Sequence, residues 1–218
     1  MNEQEKYHFP GFFFSVYIWS ILYMDADQDW DVPNHKHPMF EILYCESGHI
    51  SEWINGVEYE LRAGDFIFIH SGALHYPTAH QYSRYFNFHF DVEPREVHAA
   101  FHRLKAPLVS TNQPPEVRSE IRKAMEQMIE LFKSLKRKEQ KQAESDGAKG
   151  GLASDTMILQ SKFLQFLAYI LDKVVTPAAD AMHDRCISPT QHDIASDVAY
   201  LLETYGMDRV RIGELAKN

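Results

Sequence analysis

Three histidines and one glutamate are spaced so that a β-barrel could bring them together. His35, His37 and Glu41 lie close to one another in the sequence, and His75 follows a later stretch rich in turn residues. Side chains alternate between the two faces of an extended strand, so positions 35, 37 and 41 are expected to point the same way. Three imidazoles and a carboxylate suit Zn, Fe, Mn, Ni or Cu and leave coordination positions open. A transition-metal site is therefore one interpretation of these residues.

A pocket for an organic ligand is the alternative interpretation of the same four residues. Buried polar groups in proteins are nearly always hydrogen-bonded, so a polar-lined barrel would keep them to bind a ligand or one another. Tyr44, Trp53 and Asn87 are additional ligand-binding candidates, and a mixture of aromatic and polar groups suits a sugar or a similar polar metabolite. Several other histidines are expected to be surface or structural residues: His49, His80, His89, His98 and His102.

Short β-strands from residue 1 to about residue 92 are predicted to position these side chains. Turn signals separate the strands, and Asn55-Gly56 is the strongest because both residues tolerate the positive φ of a type I′ hairpin. Many short strands joined by tight turns predict a sandwich or a jelly-roll barrel. The predicted strands are Phe12–Met24, Met39–Cys45, Val57–Leu61, Phe66–Ile69 and Tyr82–Phe90.

Helical periodicity replaces the strand pattern after Pro94. Arg95–Lys105 predicts a short helix, and the long helix after Pro114-Pro115 carries apolar residues at a 4-3-4-3 spacing, which indicates contact with another helix. A second long helix, about Ser154–Val175, has an apolar stripe wide enough to cover the barrel and a second subunit, so we expect a homodimer. The seam consists of Ile121, Met125, Met128, Phe132 and Leu135, and the stripe of Phe163, Phe166, Leu167, Ile170, Leu171 and Val174.

The composition excludes several classes of protein. The 218 residues carry a net charge of −9, with 44% hydrophobic and 24% charged residues, which is typical of a globular protein and unfavourable for contacts with nucleic-acid phosphates. No apolar run is long enough to span a bilayer. The two cysteines are far apart, which fits a reducing cytosol.

The chain divides into four predicted parts. Residues 1–106 form the barrel, 107–176 the helical pair, 177–191 a linker and 192–218 the beginning of another helical domain. In the last part a helix is expected to end at Gly206, and the next begins near Ile212 and is cut off at Asn218.

Two distant regions resemble one protein family. His35–Gly48 and Gly64–His75 resemble the paired motifs of the cupin superfamily, and the stretch from His35 to Phe90 is similar to the N-terminal sensing domain of AraC-type transcription regulators. Ile194–Ala216 resembles the opening of that family's helix-turn-helix DNA-binding domain. In metal-binding cupins the matching positions are ligands, which implies His35, His37, Glu41 and His75 here. Departures from the motif occur at Asp29, His70 and Ala79.

The resemblance implies a fold of mainly β plus α: a cupin (double-stranded β-helix or jelly-roll) barrel, a helical pair and the first helices of a truncated helix-turn-helix domain. It implies a cytoplasmic effector sensor that binds a small polar metabolite, dimerises, is not an enzyme, and reaches operator DNA only through a missing C-terminal region. The N-terminal segment 1–11 either folds over the pocket or is frayed. Two alternatives remain open: a metal-dependent cupin enzyme, such as a dioxygenase or isomerase, and a metal-free carbohydrate-binding module.

Overall fold

The computed structural model describes residues 15–93, 95–102, 108–143 and 150–175. Its strands are β1 (Ser15–Ala26), β2 (Phe40–Ser47), β3 (His49–Ile54), β4 (Val57–Arg62), β5 (Phe66–Ile69), β6 (His75–Ala79), β7 (Ser83–Glu93) and β8 (Leu108–Val109). Its helices are α1 (Arg95–His102), α2 (Pro115–Ala143) and α3 (Gly150–Ile170); Leu171–Val175 continues α3 as a π-helical turn, and Ser110–Asn112 forms a 3-10 turn. None of the described helices is long and apolar enough to cross a membrane.

The strands form two antiparallel sheets that enclose an apolar interior. One sheet has the order β1-β7-β2-β5-β8, and the other has the order β4-β3-β6. Leu43 and Ile67 from the first sheet and Ile50 and Leu61 from the second belong to one buried cluster, so the two sheets face each other. This cupin-like arrangement of strands followed by helices confirms the predicted fold class.

Two strands of the second sheet were not predicted from the sequence. β3 carries charged and polar residues between its apolar ones, and β6 contains Pro77, which removes a backbone donor. Pro77 is accommodated because β6 lies at the edge of its sheet. The predicted hairpin turn lies between β3 and β4, where Asn55 has a φ of 50° and Gly56 a φ of 80°.

Strict alternation along β2 and β7 separates two cores. Odd-numbered residues such as Leu43 and Tyr85 face the opposite sheet. Even-numbered residues such as Phe40, Ile42 and Phe88 face the helices. Each of these strands therefore carries the barrel interior on one face and the helix-packing core on the other.

Both long helices pack against the first sheet. The predicted α2 seam and the α3 stripe lie in the same apolar cluster as the even-numbered strand residues. Phe163 stacks on Phe88 with ring centroids 4.5 Å apart. The stripe is therefore buried within this subunit, and its width is no argument for a second subunit. The predictions for residues 1–11, 177–191 and 192–218 lie outside the described residues.

Candidate ligand and metal site

The site lies at one end of the barrel, around Glu41. Glu41 is on β2, directly opposite His89 of β7, and Asn87 lies two residues before His89 on the same face. His75 is the first residue of β6. Its backbone forms two hydrogen bonds with that of His35: the His35 N–H donates to the His75 carbonyl over 3.0 Å, and the reverse bond measures 2.9 Å.

Four side chains converge on the Glu41 carboxylate. The Nε2 atoms of His37 and His75 each lie 3.1 Å from Glu41 Oε2, and Nε2 of His89 lies 3.2 Å from the same oxygen. The amide nitrogen of Asn87 donates to the other carboxylate oxygen, Oε1, over 2.9 Å. The Glu41 side chain is only 5% exposed. We call these residues, Glu41, His37, His75, His89 and Asn87, the Glu41 cluster.

The other ring nitrogens of these histidines are also engaged. Nδ1 of His37 lies 3.0 Å from the carbonyl of Met39, and Nδ1 of His75 lies 2.8 Å from the carbonyl of Ala73. A carbonyl oxygen only accepts hydrogen bonds, so each Nδ1 carries a proton. The side chain of Ser20 on β1 completes the set, with its Oγ 2.7 Å from Nδ1 of His89.

This arrangement requires positive charge around Glu41 Oε2. If Nδ1 of His75 is protonated, its Nε2 can face an ionised carboxylate oxygen only as a second N–H, in an imidazolium ring, or as a ligand of a shared cation. Burial alone raises the pKa of Glu41, but the hydrogen bonds from three imidazoles outweigh it and hold that pKa well below its ordinary value. Burial lowers the pKa of His75, and the Glu41 carboxylate more than reverses that effect, so the net direction is upward.

A transition-metal ion fits the same donors. Ligand atoms about 2.1 Å from a common ion, in tetrahedral or octahedral geometry, lie about 3.0–3.4 Å from one another. The 3.1–3.2 Å separations from Glu41 Oε2 to the imidazoles fall in this range. Fixing Nδ1 on a backbone carbonyl also leaves Nε2 available for a metal, as in many histidine metal sites. The donor set suits Zn, Ni, Fe or Mn.

His35 lies beside the cluster rather than within it. Its ring centroid is 4.4 Å from that of His75, and its Nδ1 lies 2.9 Å from the carbonyl of Pro33. Burial lowers the pKa of His35, and the hydrogen bond to Pro33 only partly offsets this effect. A neutral His35 is suited to metal binding. Two overlapping sets of ligand atoms, His35-His37-His75 and His37-Glu41-His89, each lie within 4.8 Å.

Tyr44 and Trp53 lie away from the Glu41 cluster. Tyr44 is on the helix-facing side of β2, in the core shared with α2 and α3. Trp53 alternates with the inward-facing Ile54 and stacks on Tyr76, with ring centroids 5.9 Å apart. Neither ring borders the barrel interior, so we leave both out of the proposed site. Asn87 does lie in the cluster.

Two further differences from the sequence-based expectations concern histidines. His35 and His37 precede β2 and do not lie on a strand; backbone pairing with His75 and the hydrogen bond to Met39 position them instead. His89 was expected to be a surface or structural residue, and the structure places its Nε2 beside Glu41 Oε2. The available signal was strand alternation, because Asn87 and His89 are two residues apart and share a face.

Comparisons with known proteins agree with this architecture. Residues 19–156 match the family of the AraC-like ligand binding domain. No curated protein matches the chain significantly.

Three solved structures illustrate the structural likeness. A conserved protein of unknown function from Streptococcus pyogenes is 16% identical, with 37% of this chain and 76% of that chain aligned and a TM-score of 0.33. An RmlC-like cupin from Shewanella frigidimarina is 17% identical, with 35% of this chain and 75% of that chain aligned and a TM-score of 0.30. A Cupin 2 conserved barrel domain protein from Salinispora arenicola is 15% identical, with 34% of this chain and 74% of that chain aligned and a TM-score of 0.29. At these scores the alignments carry no argument about function.

The family match spans most of the described strands and helices, including every residue of the Glu41 cluster. On that ground the chain belongs to the family of AraC-like ligand-binding domains.

Proposed function

We propose that this chain is the effector-sensing and dimerisation portion of an AraC-type transcription regulator, and that its effector binds at the Glu41 cluster. The observation that carries the proposal is the convergence of three imidazoles and an amide on one buried carboxylate. Such groups at one end of an apolar barrel suit the recognition of a small polar metabolite, such as a sugar. The regulator would be cytoplasmic.

The alternation of β2 and β7 supports a route from ligand to helices. Asn87 and His89 of β7 lie in the proposed site. The alternate residues Phe88 and Phe90 point to the other face of β7 and pack against Phe163 of α3. A ligand that prefers one arrangement of this strand would also bias the helices on its other face. The shift can be no larger than the difference between its affinities for the two states. Operator DNA would be contacted only through the C-terminal region, beyond the described residues.

A metal-dependent cupin enzyme is the second candidate, because the same donor set could hold a catalytic metal. Such an ion would act as a Lewis acid toward a bound oxygen-containing substrate. The family match favours the sensor. The helices that follow the barrel also favour it, because a minimal cupin enzyme has no need of them.

Metal and ligand binding by the whole chain test the proposal. After incubation with Zn²⁺ or Ni²⁺ and desalting, we expect about one ion per chain, since the two candidate sets of ligand atoms share His37. His37→Ala removes a donor and is expected to abolish this stoichiometric binding. A thermal-shift screen of monosaccharides, sugar acids, amino sugars and polyamines, with and without metal, should give a stabilising compound for the original chain and none for His37→Ala.

His80→Ala is the matched control, because His80 directly follows β6, is 45% exposed and lies outside the Glu41 cluster. It should keep both the metal and the compound. If the original chain binds no metal, the cluster serves an organic ligand directly. If no compound stabilises the chain but the metal-loaded protein turns over an oxygenase or isomerase substrate, the enzyme candidate replaces the sensor.

The exposed face of α3 supports dimerisation. Met157 is 69% exposed, and Ile158 and Leu164 also present apolar side chains to solvent. Exposed apolar side chains on one helix are typical of an interface. We expect the chain to sediment as a dimer and Leu164→Asp to sediment as a monomer with the far-ultraviolet circular dichroism of the original. Lys123→Asp, at an exposed position of α2, is the control. A monomeric original chain, or a dimeric Leu164→Asp variant, would contradict this assignment.

A further inference from the structure

A second glutamate lies inside the barrel with no hydrogen-bond partner among the described residues. Glu52 on β3 is 0% exposed. Neither of its carboxyl oxygens has a hydrogen-bond partner among the described residues. Glu52 alternates with Ser51 and Trp53 and shares its strand face with Ile50 and Ile54, which belong to the interior cluster. Its carboxyl group therefore faces the barrel interior.

Burying an unpartnered carboxyl group is unfavourable, and an apolar residue would stabilise the fold better. Burial raises the pKa of Glu52 well above its ordinary value, and the charge of Glu41 raises it further. Both effects disfavour the charged form of Glu52 in the ligand-free protein. The titratable groups on the described neighbouring elements are Glu41 and Cys45 of β2, Tyr59 of β4, His75 of β6 and Tyr85 of β7.

A second polar atom in the interior also lacks a partner. Oδ1 of Asn87 is buried and has no hydrogen-bond donor among the described residues. The amide orientation is set by Glu41, because the ionised carboxylate accepts from the Asn87 nitrogen and so directs Oδ1 elsewhere. Glu52 and Asn87 thus offer acceptor oxygens without donors.

The two buried glutamates of the barrel differ in their surroundings. The buried ionisable side chains of the described residues include Glu41, Glu52 and His75 but no Lys or Arg. Three imidazoles can balance the Glu41 carboxylate, whereas Glu52 has no hydrogen-bonded imidazole among the described residues. A cationic ligand would supply Glu52 with both a positive charge and several hydrogen-bond donors.

We propose that Glu52 anchors the amine end of a positively charged effector, such as an amino sugar or a polyamine, with the Asn87 carbonyl as a second acceptor. This assignment rests on the proposed sensor function and narrows the effector class. On binding, the ammonium N–H groups hydrogen-bond to the Glu52 carboxylate, and the proton that Glu52 carried is released to solvent. One proton leaves for each amine that binds.

Matched amine and hydroxyl compounds test the assignment on the whole chain. Glucosamine is compared with glucose, and putrescine with 1,4-butanediol, by thermal shift and by calorimetry in two buffers of different ionisation enthalpy. We expect at least one amine to bind with release of about one proton, while its hydroxyl counterpart binds at least about tenfold more weakly. Glu52→Gln should weaken amine binding by about 10- to 100-fold and abolish the proton release.

The thermal stability of the ligand-free variants separates a ligand-binding role of Glu52 from a structural one. Without ligand, Glu52→Gln should raise Tm by about 3 °C at pH 8. At that pH the carboxyl group of Glu52 ionises readily in the unfolded chain, whereas burial disfavours its charged form in the folded chain, and the substitution removes this difference. Glu60→Gln, on the adjacent strand and 58% exposed, should leave Tm and amine binding unchanged. Glu52→Leu serves as a second variant with the same expected losses of binding.

The outcomes distinguish the effector class from the sensor function. Equal binding of glucose or butanediol, or full amine affinity in Glu52→Gln, overturns the cationic assignment and leaves the sensor intact. A lower Tm for both Glu52 variants would show that Glu52 is a structural residue and would also overturn the cationic assignment. Failure of every amine to bind rejects the assignment; failure of every class in the wider screen counts against the sensor as well.

Discussion

Glu41→Gln is expected to lower the free energy of unfolding by about 3 kcal/mol at pH 6, because it leaves buried imidazoles without their anion. Glu41 Oε2 is the common partner of His37, His75 and His89. A glutamine carbonyl can accept from these rings but supplies no negative charge. Urea unfolding of both chains in the presence of a chelator measures the difference without a contribution from bound metal.

The size of this effect depends on pH in a defined direction. The pKa of Glu41 is lowered by folding, so its contribution is present above the ordinary value of 4.5 and is lost as the pH falls through the folded value. The pKa of His75 is raised, so its contribution is complete below the ordinary value of 6.5 and is lost as the pH rises through the folded value. The stability difference is therefore largest between pH 4.5 and 6.5 and narrows on both sides.

Glu60→Gln is the matched control for Glu41→Gln, since Glu60 is an exposed glutamate of the second sheet. Its effect should stay within about 0.5 kcal/mol at every pH. A Glu41→Gln variant as stable as the original chain at pH 6 would show that the cluster contributes no net electrostatic stabilisation.

Phe88→Ala is expected to lower the free energy of unfolding by about 3–5 kcal/mol, the range for removing a large buried aromatic side chain. Phe88 is 0% exposed. Its ring lies 4.7 Å from that of Phe86 and 4.5 Å from that of Phe163, so the substitution removes contacts within the sheet and between the sheet and α3. Because one core joins these elements, we expect circular dichroism of the helices and tryptophan fluorescence of the barrel to report one common, earlier transition.

Trp19→Ala is the control for loss of an aromatic side chain, because Trp19 lies on β1 and is 67% exposed. It should change the free energy of unfolding by no more than about 0.5 kcal/mol. Separate transitions for helices and barrel in Phe88→Ala would mean that the helices fold independently of the sheet.

Strand alternation and turn chemistry made most of the barrel predictable. The Asn55-Gly56 turn and the apolar stretches that became β2, β4, β5 and β7 are local features, and local backbone preferences determine them. β6 was missed because its proline argues against a strand, and only its place at a sheet edge accommodates that residue. The α3 stripe was recognised, but whether it faced a sheet or a second subunit depended on packing that the sequence pattern does not contain.

Within the site, residue types and spacing indicated which side chains had suitable chemistry. His37, Glu41, His75 and Asn87 were identified from residue type, spacing and resemblance. The positions of His89 beside Glu41 and of Tyr44 in the helix-facing core became apparent in the folded chain. They follow from strand register: hydrogen-bond pairing of β2 with β7 places His89 opposite Glu41, and the pairing of distant strands cannot be deduced from local periodicity. The same holds for Glu52, whose lack of a partner became visible only when the two sheets closed around it.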